Sequence, residues 1–122
     1  MSERLFTIEE ANAELPELRR RLPALRDARQ ALIASTQRID DAVAADGGGV
    51  AGSDWFAHQQ RLKAEVTYLA DRGILLRDPD TGLVDFPAER DGAPVFLCWR
   101  LGEDEVGFYH AEHGGFSGRK PL

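Results

Sequence analysis

Residues 86–110 read "FPAERDGAPVFLCWRLGEDEVGFYH", and the alternation inside this stretch decides the fold. Apolar and polar side chains take turns through it, the period of a strand with one buried face. Asp91-Gly92 is a pair that two-residue hairpin loops prefer, because both positions need a positive φ. Glu103-Asp104 marks a further reversal. Just upstream, "ILLRDPDTGLVDF" (74–86) supplies two strands around Pro79-Asp80-Thr81-Gly82. The spacing predicts a four-stranded antiparallel β-meander over 74–111.

Register then assigns the faces. With Asp91-Gly92 as a two-residue loop, Arg90 faces Ala93, Phe86 faces Leu97 and Val84 faces Trp99. With Glu103-Asp104 as the next tip, Trp99 faces Phe108 and Leu97 faces His110. One face carries Val84, Phe86, Val95, Leu97, Trp99, Leu101, Val106 and Phe108, a core face that needs a cover. The other carries Asp85, Phe96, Cys98, Arg100 and Tyr109. A one-residue slip would exchange the faces and bury Asp85 and Arg100, which disfavours it.

The cover is written in the first half of the chain. "TIEEANAELPELRRRLPALRDARQALIASTQRIDDAV" (7–43) opens on Thr7 and Glu10, a capping box with Phe6 in the staple position. Ile8, Ala11, Leu15, Leu18, Leu22, Leu25, Leu32, Ile39 and Val43 follow a 3-4 rhythm, the seam of helices packed at shallow angles. Pro16 and Pro23 lie one step off that seam. Proline removes a helical hydrogen bond, so the sequence predicts a short helix near Ile8–Glu14, a break, and a long helix from about Pro16 to Ala45 bent at Pro23. "DGGGVAGSD" (46–54) contains the glycine-rich linker, residues 46–53. It lacks the Lys-Ser/Thr pair of a phosphate loop. A second helix then runs from Ser53 or Asp54 through Trp55, Leu62, Val66 and Leu69 to Arg72, with Gly73 as its stop.

The expected architecture is α+β: a long antiparallel helical hairpin (7–73), then the small meander packed on it (74–111), then a tail (112–122), in one domain of 122 residues. Net charge is −6, from 15 Lys and Arg against 21 Asp and Glu, which argues against nucleic acid as a partner. Arg19-Arg20-Arg21 points three ways around a helix and reads as a solvated face. No apolar run approaches the ~20 residues of a membrane span, and Met1–Thr7 lacks a signal-peptide pattern. A single cysteine, Cys98, suits a reducing compartment. The expected setting is cytoplasmic.

"FTIEEANAELPELR", "GLVDFPAERDG", "VFLCWRLGEDEVGFYH" and "GGFSGRKPL" together resemble the domain-of-unknown-function family 2203, small bacterial and archaeal proteins. The resemblance spans nearly the whole chain and is most specific in the C-terminal half. It implies no assigned activity. The family's pattern often carries an acidic residue where this chain has His113.

Two sets of residues can carry chemistry. Glu103, His110 and His113, with Glu112 beside them, offer imidazoles and carboxylates of the kind that bind zinc or iron(II). The plain alternative for His110 is a hydrogen-bonded histidine at the rim of the core. Asp85, Arg100 and Tyr109 share a sheet face and, with Arg119 of the tail, could hold a small anionic ligand. The plain alternative is a cross-strand ion pair beside an aromatic. In the expected register Cys98 and His110 fall on opposite faces, so no thiol–imidazole pair forms.

Two functions follow as expectations. The leading one is an interaction module: the seam extends past what four short strands can bury, so a homodimer, or another protein, covers the remainder. The other is a small metal- or anion-dependent enzyme built on the C-terminal Glu/His/Arg cluster.

Overall fold

The computed structural model describes residues 4–46 and 53–122, with the side chains of 38–46 and of residue 53 outside the described set. Two helices, α1 (Ile8–Asp46) and α2 (Ser53–Asp71), precede five strands: β1 (Leu75–Asp78), β2 (Leu83–Arg90), β3 (Ala93–Arg100), β4 (Phe108–Ala111) and β5 (Lys120–Pro121). The strands form one sheet in chain order, and every pairing is antiparallel. The glycine-rich linker lies mostly outside the described residues, as do the side chains of Ile39 and Val43.

The capping box forms at the start of α1. Thr7 N–H donates to Glu10 Oε1 at 2.9 Å, and Glu10 N–H donates to Thr7 Oγ1 at 3.0 Å. Phe6 is buried in front of it and meets Phe86 edge-on, with ring centroids 5.1 Å apart. Its N–H donates to the Pro87 carbonyl at 2.7 Å, so the start of the chain covers part of the outer edge of β2.

The expected break at Pro16 does not occur. α1 runs through both prolines without interruption. Each proline costs a helix roughly 3 kcal/mol in isolation. Against that, Leu15, Leu18, Leu22 and Leu25 are all buried, and each such side chain contributes about 1.5–3 kcal/mol. Pro16 is exposed, off the buried stripe, so water can reach the backbone where its amide hydrogen is missing. Burial on one face therefore outweighs propensity on the other.

The helices run antiparallel, locked by buried carboxylates. Arg72 clasps Glu14 with two hydrogen bonds, and Arg21 reaches Glu65 at 3.3 Å. Tyr68 lies between the two guanidinium groups, 3.8 Å from Arg21 and 5.2 Å from Arg72. α2 ends in a Schellman motif: Ile74 N–H donates to the Leu69 carbonyl, Gly73 N–H donates to that of Ala70, and Gly73 takes φ 76°. No helix among the described residues is long and apolar enough to cross a membrane.

The core lies between α1 and one face of the sheet, with Val84, Phe86, Ala88, Val95, Leu97 and Trp99 buried against the leucine stripe. The Asp91-Gly92 hairpin takes the expected register, with φ of 53° and 78° at its two loop residues. In the first turn, Gly82 at φ 73° lies so close to Leu101 that an added Cβ would sit 2.7 Å from the Leu101 Cβ.

The last hairpin departs from expectation by one residue. Cys98 pairs with Phe108, Leu97 with Tyr109 and Phe96 with His110. Phe108 therefore leaves the core face, Tyr109 takes its place, and His110 turns to the side away from the helices. The cause is the connection: residues 101–107 make a wide loop docked on α1, not a tight tip at Glu103-Asp104. Val106 is buried, its N–H donating to Asn12 Oδ1 at 2.8 Å, while Trp99 Nε1–H donates to the Glu103 carbonyl at 3.1 Å. Arg19 also donates to the Asp104 carbonyl and lies over the Trp99 ring. The strand count changes too. The tail folds back through a single 3-10 turn at Phe116–Gly118, and β5 adds a fifth strand beside β4.

Candidate functional site

The shifted register gathers Asp85 of β2, Cys98 of β3 and His110 of β4 on the face away from the helices. Asp85 pairs directly with Cys98, and His110 stands on the neighbouring strand one diagonal away. All three are almost completely buried, at 2 %, 1 % and 3 % exposure. The tail lies over this face, with Arg119 Nη1 4.0 Å from Cys98 Sγ. One ligand atom from each of the three side chains lies within 4.8 Å of the others.

His110 has acceptors at both ring nitrogens. Nδ1 lies 2.7 Å from the Ala111 carbonyl, and Nε2 lies 3.0 Å from Asp85 Oδ2. A neutral imidazole has one N–H, so it satisfies one of these oxygens and turns a lone pair on the other. A cation shared by Nε2 and the carboxylate is one arrangement that removes the conflict. An Nδ1–H bonded to a backbone carbonyl is the usual support of a histidine that ligates through Nε2.

Asp85 is only partly satisfied. Its Oδ2 accepts from Arg77 Nε at 2.8 Å and meets His110. Its Oδ1 is buried and has no hydrogen-bond partner among the described residues. A buried polar atom left in this condition costs about 1–3 kcal/mol. Arg77 reaches Asp85 because the β1–β2 register shifts between Leu76 and Asp78. Its guanidinium lies 5.1 Å above the Phe96 ring.

Burial, followed by the charge of Asp85, pushes the Cys98 thiol up to about 11, and Arg119 only partly opposes this. The thiol is therefore protonated near neutral pH. Beside it, Arg119 grips Glu103 with two bonds, Nη1 to Oε1 at 3.0 Å and Nη2 to Oε2 at 2.9 Å, while Arg100 N–H donates to Oε1 at 2.7 Å. Burial raises the Glu103 carboxyl, but the Arg119 and Arg100 hydrogen bonds more than offset it and leave the group below its ordinary range. Arg119 is also stacked on Phe108 at 3.9 Å and Phe116 at 4.2 Å.

A hollow of about 280 Å³ opens beside the cluster, with Asp85 and His110 in its lining together with Arg77, Glu112, His113 and Phe116. The candidate residues thus divide. His110 and Asp85 are in contact, His113 lines the adjacent hollow, and Glu103 is bonded to Arg119. Arg100 is exposed with its guanidinium 4.9 Å from the Phe116 ring, and Tyr109 packs on the helix side. Sequence reasoning missed Cys98 as a neighbour of His110, and missed Arg77 altogether. Gly102 and Gly107, bracketing three acidic residues, are the signal for a wide loop that would have corrected the register.

Neither the curated proteins nor the solved structures contain a match to the chain. The family model described as "Uncharacterized conserved protein (DUF2203)" matches residues 4–122, and the chain belongs to that family.

Proposed function

We propose that Asp85, Cys98 and His110 form a centre for a divalent transition metal, zinc or iron(II), and that the protein is a small metal-dependent ligand-binding protein or enzyme. The observation that carries this reading is the buried Asp85 Oδ1 with no partner among the described residues, on a carboxylate grouped with a thiol and an imidazole nitrogen. Carboxylate, thiolate and imidazole are the donors zinc accepts, and iron(II) tolerates the same set. A bound cation would satisfy Oδ1, separate the lone pairs of Nε2 and Oδ2, and hold Cys98 as a thiolate. Three protein donors leave room for a fourth ligand, the pattern of sites that act on something.

The test is elemental analysis of protein purified without a histidine tag, with a melting curve in added zinc or iron(II). One metal per chain and a raised melting temperature are expected. A metal-free chain whose melting temperature ignores both ions overturns the reading.

A second reading, homodimeric assembly, draws on a separate observation. Ile33 of α1 and Phe56 of α2 are 56 % and 58 % exposed, each in the half of its helix nearer the linker. A sister chain is the simplest cover for such side chains, and the two functions are compatible. Light scattering at micromolar concentration tests it, and a well-folded monomer overturns it.

A further inference from the structure

If the metal reading holds, the ion has three protein donors, and a tetrahedral ion needs a fourth from outside the chain. The hollow beside the cluster indicates what that fourth ligand is. Asp85 and His110 contribute to its lining while Cys98 does not, so a fourth ligand would reach the ion from the hollow. Its volume of about 280 Å³ lies just below the range usual for small-molecule pockets, which suits a compact ligand or group.

Charge narrows the class further. Arg77 commits Nε to Asp85, and its terminal N–H groups make no hydrogen bond among the described residues. Arg77 is exposed, and the Asp85 bond and the Phe96 ring turn its guanidinium so that the terminal N–H groups are available to a ligand. With a carboxylate and a thiolate on it the ion's charge is balanced, so the preference rests on its open coordination position and on the Arg77 guanidinium beside it, which together favour an oxygen ligand that bridges them. His113 can add a donor from the wall. Glu112, also on the wall, is exposed and free to turn outward.

We infer that the hollow binds a small oxyanion, a carboxylate or phosphate group, with one oxygen on the metal and another on Arg77. The inference rests on the metal centre, and the experiment separates the two. Cobalt(II) replaces the native ion, because its thiolate charge-transfer band reports the Cys98 bond while its visible bands report the fourth ligand. Acetate and phosphate are titrated separately, with chloride at matched ionic strength as the control.

Saturable movement of the visible bands by acetate or by phosphate, and none by chloride, is the expected result. The responding arm identifies which kind of oxyanion is preferred. Arg77→Gln should keep the charge-transfer band at saturating cobalt yet weaken the anion by about tenfold or more, while Arg90→Gln, remote in the fold, leaves it unchanged. An intact charge-transfer band with visible bands deaf to both anions overturns the oxyanion site and spares the metal. Equal anion affinity in the Arg77→Gln variant also overturns it. A chain that shows no charge-transfer band overturns both readings.

Discussion

Nε2 of His110 lies 3.0 Å from Oδ2 of Asp85, and that contact spans the outer face of the sheet from β4 across β3 to β2. Both side chains are buried, so their pairing has structural weight whatever occupies the site. It also makes Asp85 the residue on which Arg77, His110 and any bound ion converge.

Replacing Asp85 with asparagine sets an amide against donors it cannot fully accept. The variant Asp85→Asn is expected to lose about 2–4 kcal/mol of stability, read by urea unfolding. Metal linkage separates this from a packing effect. Zinc at one hundred times its Kd should add about 2.7 kcal/mol to the parent protein. The same addition should leave Asp85→Asn nearly unchanged. Equal zinc stabilisation of the two proteins would sink the role given to Asp85.

Cys98 should be nearly inert to alkylation at pH 8 in the metal-free protein. With the thiol pushed up to about 11, roughly one part in a thousand is thiolate there, and the tail restricts access. The iodoacetamide rate should climb steadily as pH rises toward 11. The raised value also means that the folded state favours the protonated thiol. Its contribution to stability is present below the ordinary value of 9.0 and is lost as pH rises through 11. Zinc binding at pH 8 should release close to one proton per chain, measured in weakly buffered solution. A fast reaction at pH 8 in the folded, metal-free protein contradicts this account.

The first hairpins and the helix seam were legible because one physical signal governed each. Asp91 and Gly92 both adopt positive φ, and the two-residue loop they allow fixes every pairing from Leu83 to Arg100. The leucines of α1 are buried at the positions their period predicts, from Leu15 to Leu25. The third connection had no such single signal. Phe108 and Tyr109 are adjacent aromatics, and either can fill a core position, so hydrophobicity alone leaves the register free by one residue. What decides it is tertiary: Val106, Trp99 and Asn12 dock the loop on α1. That single residue carries His110 from one face to the other and makes the candidate site. Pro16 was misread for a similar reason, since the burial that keeps the helix intact is not local.

Pro16→Ala is therefore expected to stabilise the protein. The helix already has its shape, and alanine supplies an N–H for the Asn12 carbonyl at an exposed position. The gain should be about 1–2 kcal/mol, less than the full helical cost of proline because alanine also frees the unfolded chain. Leu18→Ala, at 0 % exposure, should cost about 2–5 kcal/mol in the same assay. A destabilised Pro16→Ala would mean that the proline is needed for the path of the helix.

The Glu103–Arg119 pair ties the tail to the loop after β3, and its titration gives it a signature. Glu103 is 20 % exposed and Arg119 15 % at the side chain, so solvent screens the pair only partly. The depressed carboxyl means that the folded state favours the ionised form. The contribution is therefore present above the ordinary value of 4.5, and it is lost as pH falls through the lower folded value. Glu103→Gln should remove on the order of 1 kcal/mol at pH 7 and flatten the acid limb of the stability curve between 4.5 and the folded value. Freed from its clasp, Arg119 should release β5, and amide exchange should rise at Lys120 and at Leu122, whose N–H donates to the Gly107 carbonyl at 2.9 Å. Iodoacetamide should then reach Cys98 faster at high pH in Glu103→Gln than in the parent. Unchanged exchange at both amides would show that the strand pairing, and not the ion pair, holds the tail over the site.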